Sequence, residues 1–271
     1  MRFKLFCIIT IIAFFGALNI FAQTQLPRAS QRASLTQTVG DTQISIVYHR
    51  PNVKKRTIWG DLVPYGEVWR TGANEATTFE VSKDVTINGQ KLPAGKYSFY
   101  AIPGEKEWTL IFNKTWDQWG TVYDAKQDAL RVKVKPMAAE FEESLAYEIE
   151  NVTENTAQVM IHWDKLAVPF IVDIGDVSKR ILDSARKDKK MQVQVAGYIF
   201  DAKLAENYNE ALGWLDAAIK EGDNYRAMFV KARLLNEMGR KEEAIMTAEK
   251  AIELGKKTPN TNTSFLENLV K

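Results

Sequence analysis

The chain reads as an α+β protein of two parts, an all-β sandwich followed by an all-α tail, and three observations predict it. Short alternating apolar runs between turn residues fill residues 34–175. From Asp176 onward the apolar positions are instead spaced by three and four, the helical period. The tail also aligns on itself with a period of 33 residues, the mark of a repeat. With 271 residues, 45% of them apolar, there is material for two cores.

Residues 1–22 have the pattern of a secretory signal peptide. Arg2 and Lys4 make a basic start, Leu5 to Ala17 an apolar stretch broken by Thr10, and Ile20-Phe21-Ala22 a cleavage site that places the mature start at Gln23. The stretch is short for a bilayer span, which favours cleavage over a retained anchor and leaves no stable membrane span. Cys7 is the single cysteine and lies inside it, so the mature chain carries no thiol. An exported chain without disulfides fits the periplasm or cell envelope of a bacterium better than a small stapled fold. Without Arg2 and Lys4 the chain has 34 basic against 34 acidic residues, which gives no footprint for nucleic acid. Residues 23–33 are expected to form an N-terminal extension.

In the β region, strand candidates lie at 43–48, 85–87, 97–102, 108–112, 130–134, 145–149, 159–163 and 168–174. Asn88-Gly89 is a two-residue hairpin signal, because both central residues of that turn need positive φ. Pro103-Gly104 marks a second reversal. Strands at this spacing without intervening helices predict a sandwich, with a jelly roll as one form of it.

In the region 176–271 a leading helix over 177–187 precedes two helix pairs. Ala211, Leu215 and Ala218 align with Ala244, Ala248 and Ala251, the small positions at which tetratricopeptide helices pack closely. Gly239 falls at the turn of the second pair, Glu206 replaces the equivalent glycine in the first, and the turn proline is displaced to Pro259. Two pairs are few for a freestanding solenoid, so the tail should pack on the β domain or on a protein partner.

The stretch from Val53 to Thr78 keeps neither regular period and is rich in aromatic, charged and turn residues. Arg70, Asn74 and Glu75 offer a two-pronged cation, an amide and an anion, with Trp59, Tyr65, Trp69 and Arg56 near them in sequence. A second aromatic loop, Asn113 to Tyr123, carries Trp116 and Trp119. If the loops meet, they make a cleft whose flat faces cover C–H surface while polar groups orient hydroxyls or carboxylates, as a glycan or peptide fragment needs. In the competing structural reading, Trp59 and Trp69 plug one end of the sandwich and Arg70 pairs with Glu75.

The run TIWGDLVPYGEVWRTGANEATT (57–78), the run VTINGQKLPAGKYSFYAIPGEKEWTLIFNK (85–114), the opening PRAS (27–30) and the phrase HRPNVKKRTI (49–58) resemble the exported bacterial family known as domain of unknown function 2911. The resemblance implies an all-β core in an exported protein and carries no assigned reaction. Where that family usually has a serine before the Arg-Pro pair, this chain has His49.

No catalytic residue is assignable from spacing. Asp61, Glu67, Glu75 and Asp117 supply carboxylates for a glycosidase-like hydrolase, the alternative to a non-enzymatic binding module. An envelope structural or assembly factor is the third reading. His49 and His162 belong to no close His or Cys cluster, so no metal is expected, and His162 within its strand reads as a hydrogen-bonded structural histidine. Neither a nucleophile elbow nor a phosphate-cradling glycine loop is present, and no cofactor is expected.

Overall fold

The computed structural model describes residues 27–257 and 261–271; the expected signal segment, the start at Gln23 and Pro259 lie outside the described residues. The strands are β1 (Gln31–Val39), β2 (Thr42–Arg50), β3 (Thr78–Val81), β4 (Val85–Ile87), β5 (Gln90–Leu92), β6 (Gly95–Ile102), β7 (Trp108–Asn113), β8 (Asp128–Val134), β9 (Met137–Glu150) and β10 (Thr156–Asp173). The helices are α1 (Val177–Lys187), α2 (Gln192–Asp201), α3 (Tyr208–Glu221), α4 (Tyr225–Glu237), α5 (Lys241–Lys256) and α6 (Ser264–Val270). The α+β layout is the expected one.

The strands form two antiparallel sheets, ordered β1-β2-β3-β6-β7-β8 and β5-β4-β10-β9. The chain leaves the larger sheet for β4 and β5 and returns at β6, which is not the paired Greek key of a jelly roll. Alternation sets the inner faces. Ile44, Ile46 and Tyr48 of β2 are buried at every second position. Phe79, Phe99 and Phe112 of the larger sheet meet Phe170 of the smaller at ring centroids of 6.0, 5.7 and 6.3 Å. Each such pair adds about 0.5–1.5 kcal/mol to the area it buries.

Turn chemistry explains the hairpins. Asn88 and Gly89 have φ of 47° and 81°, as the two-residue loop between β4 and β5 requires. β1 begins at Gln31, inside the expected extension; it is an edge strand whose outer positions are polar, so its alternation is weak. The candidates at 159–163 and 168–174 are one strand, β10, whose pairing with β9 slips between His162, Asp164 and Leu166. Asp164 has φ 56° there, and such irregularities bend a strand without ending it.

In the tail, α2 and α4 start 33 residues apart, as do α3 and α5, so the sequence period is a period of helix pairs. Ala211, Leu215, Ala244, Ala248 and Ala251 are fully buried, whereas Ala218 is only partly so. Gly239 (φ 75°) ends α4, with Arg240 N–H bonding Leu235 O and Gly239 N–H bonding Asn236 O, a Schellman cap. In the first pair the same cap forms at Lys203 (φ 53°), with Leu204 N–H on Ile199 O and Lys203 N–H on Phe200 O. Because α2 ends earlier in its repeat than α4, the reversal precedes Glu206, and no glycine is needed at 206.

The first helix is fastened to the sandwich. Asp176 caps α1 by accepting from Lys179 N–H at 2.8 Å, and Val177 joins the sandwich core. Arg180 donates to Asp41 at 2.7 Å and to Ile174 O at 2.6 Å. Asp41 also takes Lys83 at 2.6 Å, and the two cations, Arg180 foremost, hold its carboxyl well below the usual carboxylate range.

Gly40 sits at this junction with φ 50°, and a Cβ there would lie 2.6 Å from Val177 Cγ2 and 2.7 Å from Glu154 O. Gly40→Ala is therefore expected to cost ~1–3 kcal/mol, read as a lower urea midpoint at unchanged slope.

Candidate functional site

Two connections are long, residues 51–77 between β2 and β3 and 114–127 between β7 and β8; the first folds onto the end of the sandwich where Trp108 opens β7, and its Glu75 bridges to Trp119 of the second. Trp59 and Trp69 of the first turn inward, where Trp108 of β7 and Trp163 of β10 meet them. Trp59 lies edge-on to Trp69, Trp108 and Trp163 at 5.6, 5.0 and 5.8 Å, and Trp69 stacks on Trp163 at 6.0 Å with 12° between planes. Four indoles thus close this end of the core, as the plug reading holds. The Nε1 donors of Trp59 and Trp108 are buried without a hydrogen-bond partner among the described residues.

Residues 69–77 are pinned from several sides. Trp69 exchanges two backbone hydrogen bonds with Ala101, at 2.8 and 2.9 Å. Thr71 is buried with φ 50°; its hydroxyl donates to Phe99 O at 2.8 Å, and its carbonyl accepts from Tyr147 at 3.0 Å and Thr77 at 3.2 Å. Asn74 has φ 60°, and left-handed non-glycine residues held this firmly gather at functional sites.

The two aromatic loops do meet. Gly120 N–H bonds Asn74 O at 3.1 Å and Ala76 N–H bonds Gln118 O at 3.2 Å. A Cβ on Gly120 would lie 2.3 Å from Arg70 Cδ and 2.8 Å from Asn74 O, so this position needs glycine for the loops to close over Arg70. Beneath the junction, Ala76, Tyr100 and Ile111 form a small buried cluster on the outer face of the larger sheet.

The meeting leaves two clefts separated by a wall. In that wall Arg28 Nη1 donates to both carboxylate oxygens of Glu75 at 2.7 Å, and Asn74 Nδ2 donates to Ser30 O at 3.2 Å. The PRAS segment, which the sequence offered only as part of a resemblance, is the strap that makes it. The ion pair foreseen between Arg70 and Glu75 does not form; Glu75 takes Arg28 instead.

The first cleft, about 560 Å³, is lined by Trp69, Tyr100 and Tyr123 together with Lys54, Arg56 and Arg70, and among the described residues by no aspartate or glutamate. The second, about 900 Å³, lies over the outer face of β2, β3 and β6 and mixes signs, with Arg28, Arg32 and Lys96 beside Glu75 and Asp117. There Lys96 Nζ sits 4.3 Å from the Trp116 ring centre, a cation–π contact. Of the residues singled out in sequence, Arg56, Trp69 and Arg70 reach the first cleft, Glu75 and Trp116 the second, and Asn74 the wall. Trp59 belongs to the indole cluster. Tyr65 and Trp119 are 41% and 49% exposed and line neither cleft.

His49 is a residue the sequence left outside the site. It occupies an outward position of β2, yet it is buried because the strap and Glu75 cover it, with Nε2 3.4 Å from Glu75 Oε2. Its strand alternation alone points it to solvent, so the sequence, which weighed it only as a metal ligand and as a departure from the family pattern, assigned it no place in the site. Burial pushes the His49 pKa down, opposed by Glu75 and assisted by Arg28 and Arg32. Arg28 in turn lowers the pKa of Glu75. His162 is the hydrogen-bonded structural histidine foreseen, with Nε2 2.9 Å from Glu140 O and Nδ1 3.3 Å from Glu148. Although burial lowers its pKa, the bonds to Glu140 and Glu148 win and raise it.

The two histidines should tilt stability in opposite directions. The fold favours neutral His49, so its contribution is lost as pH falls below 6.5 toward its lowered folded pKa, and that of Glu75 is lost further down, below 4.5. The fold favours protonated His162, whose contribution is full below 6.5 and is lost as pH rises through its raised folded pKa. Melting curves from pH 4 to 8 are expected to flatten at acid pH in His49→Gln and at neutral pH in His162→Gln. Gly120→Ala is expected to cost ~1–3 kcal/mol by forcing the loops apart at Arg70, measured by urea melts.

Among the described residues no helix is long and apolar enough to cross a membrane. Neither the curated proteins nor the solved structures give a match to the chain. The family model for proteins of unknown function designated DUF2911 matches residues 30–172. That span takes in both sheets, both converging loops and more than half of the chain, and the chain belongs to the DUF2911 family.

Proposed function

We propose that the chain is an exported, non-enzymatic binding module that takes a small polar ligand, a glycan or peptide fragment, in the cleft beneath Trp69. One observation carries this reading: Trp69 and Tyr123 present partly exposed rings beside the buried Tyr100 in a recess of about 560 Å³ whose remaining lining mixes Asn52, Arg56 and Arg70 with Leu62 and Val68. Tyr100 is held by donating to Val122 O at 2.7 Å and accepting from Gln118 at 3.0 Å, and Tyr123 by donating to Asp128 at 2.8 Å. Such fixed rings bind without a large ordering cost. The helix pairs, read as tetratricopeptide-like, would serve as the docking tail for a protein partner, and the first 22 residues as the export signal.

A hydrolytic reading has one observation in its favour, the contact of His49 with Glu75 in the second cleft. Glu75 suits that role poorly, because Arg28 holds it ionised and a general acid near neutral pH needs a raised pKa.

Trp69→Ala is a poor test, since it removes a partner of three other indoles and would lower stability whatever the cleft does. Leu62 and Val68 are exposed at the cleft, 43% and 39%, so changes there spare the core. Ligand-detected NMR with short glycans and peptides is expected to yield binders to the wild type that Val68→Trp excludes at unchanged melting temperature. Hits that survive Val68→Trp and Leu62→Trp would place binding elsewhere.

A further inference from the structure

The first cleft differs from the second in its charge. Lys54, Arg56 and Arg70 line it, and among the described residues no carboxylate does. Several arginines elsewhere are paired, as Arg28 with Glu75, Arg131 with Asp128, Arg180 with Asp41 and Arg186 with Glu210. In the cleft none of the three side chains has an acidic partner among the described residues. Glu143 comes near, but its carboxylate accepts the backbone N–H of Lys54 at 2.9 Å.

Arg70 is the best placed of the three. Its Nε reaches Gly72 O at 3.4 Å, and its two terminal nitrogens have no partner among the described residues. Its neighbours in sequence are fixed, Trp69 by the two bonds to Ala101 and Thr71 by three hydrogen bonds, while Gly120 lies against its aliphatic stem. Arg56 is oriented differently: Nε donates to Val53 O at 3.1 Å and Nη2 to Asn52 O at 2.5 Å, which leaves Nη1 uncommitted. Two arginines, each bonded to a backbone carbonyl and each with nitrogens left over, line one recess beside an indole, and a guanidinium offers a fork to a planar two-oxygen anion.

We infer that the ligand of this cleft carries a carboxylate, gripped by the free nitrogens of Arg70 with Arg56 and Lys54 in support, while its apolar face lies on Trp69. The inference rests on the reading of the cleft as a ligand site and narrows it to acidic ligands. A carboxylate fits better than a hydroxyl-only sugar, because a neutral ligand would cover the half-buried Arg70 guanidinium without pairing it, beside the exposed Arg56 and Lys54. Two sources share this chemistry, an acidic sugar and the C-terminal end of a short peptide.

The test titrates the full chain with four probes, digalacturonate and its methyl ester, and N-acetyl-alanyl-alanine and its C-terminal amide, followed by NMR of the Trp69 indole and Arg70 Nε signals. One or both carboxylate probes are expected to bind at least about tenfold more tightly than the neutral counterpart, in the range of a charge-assisted hydrogen bond. Arg70→Gln is expected to bring the acid down to the affinity of its neutral counterpart, and Arg70→Lys to restore only part of the difference, because an ammonium lacks the fork. Which acid binds identifies the source. Equal binding of acids and neutral counterparts, unaffected by Arg70→Gln at unchanged melting temperature, overturns the carboxylate inference and leaves the cleft a ligand site. Failure of all four probes to bind the folded wild type overturns both.

Discussion

The packing of four indoles at one end of the sandwich is the contact on which the rest of the β domain depends. Trp108 comes from the larger sheet and Trp163 from the smaller, so by themselves they would only mark where the two inner faces approach. Trp59 and Trp69 arrive from the 51–77 connection and complete the set, all four within 5.0–6.1 Å of a neighbour. Large rings bury much area for few lost rotamers, so this end can be sealed by a segment without regular structure. Once Trp59 and Trp69 are seated, the chain between and after them has little freedom. Trp69 pairs with Ala101, Thr71 follows into the core, and Arg70 is left between two fixed residues facing the opposite way.

That arrangement separates core-facing from cleft-facing groups along consecutive residues. Trp69 is shared, one face stacked on Trp163 and the remainder in the cleft. Arg70 is free, Thr71 is wholly structural, and Asn74 and Glu75 build the wall with Ser30 and Arg28. The wall divides two recesses of different electrostatic character, one cationic and one mixed in sign. A segment from the N-terminal end of the described chain, residues 27–30, is needed to make that division, since without Arg28 the Glu75 carboxylate would face His49 alone.

Much of the fold was legible from local pattern. The Asn88-Gly89 hairpin, the start of helical structure after Asp176, the span of α1 and the 33-residue offset of the helix pairs rest on turn chemistry and periodicity, which neighbours in sequence determine. Strand β1 and the unity of β10 were less legible, because an edge strand with a polar face and a bent strand both break the period on which recognition relies. In the site, the loops carrying Trp69, Arg70 and Glu75 stand out by composition alone. Their partners do not. Arg28 lies 47 residues from Glu75 and His49 looks like a solvent-facing strand residue, so no local signal links them. Whether Trp59 and Trp69 plug the core or line a cleft stayed open in the sequence, since composition does not say which way a loop turns.

The indole cluster has an optical consequence. Four of the seven tryptophans lie close enough for their transition dipoles to couple, so the far-ultraviolet circular dichroism of this chain should carry an exciton couplet superimposed on the helix and strand bands. Helical content measured without allowing for that couplet will be misjudged. The couplet is itself an internal gauge: its amplitude follows the seating of the 51–77 connection, while the helical bands follow the tail, so one spectrum recorded against temperature distinguishes opening of the capped end from melting of the helices.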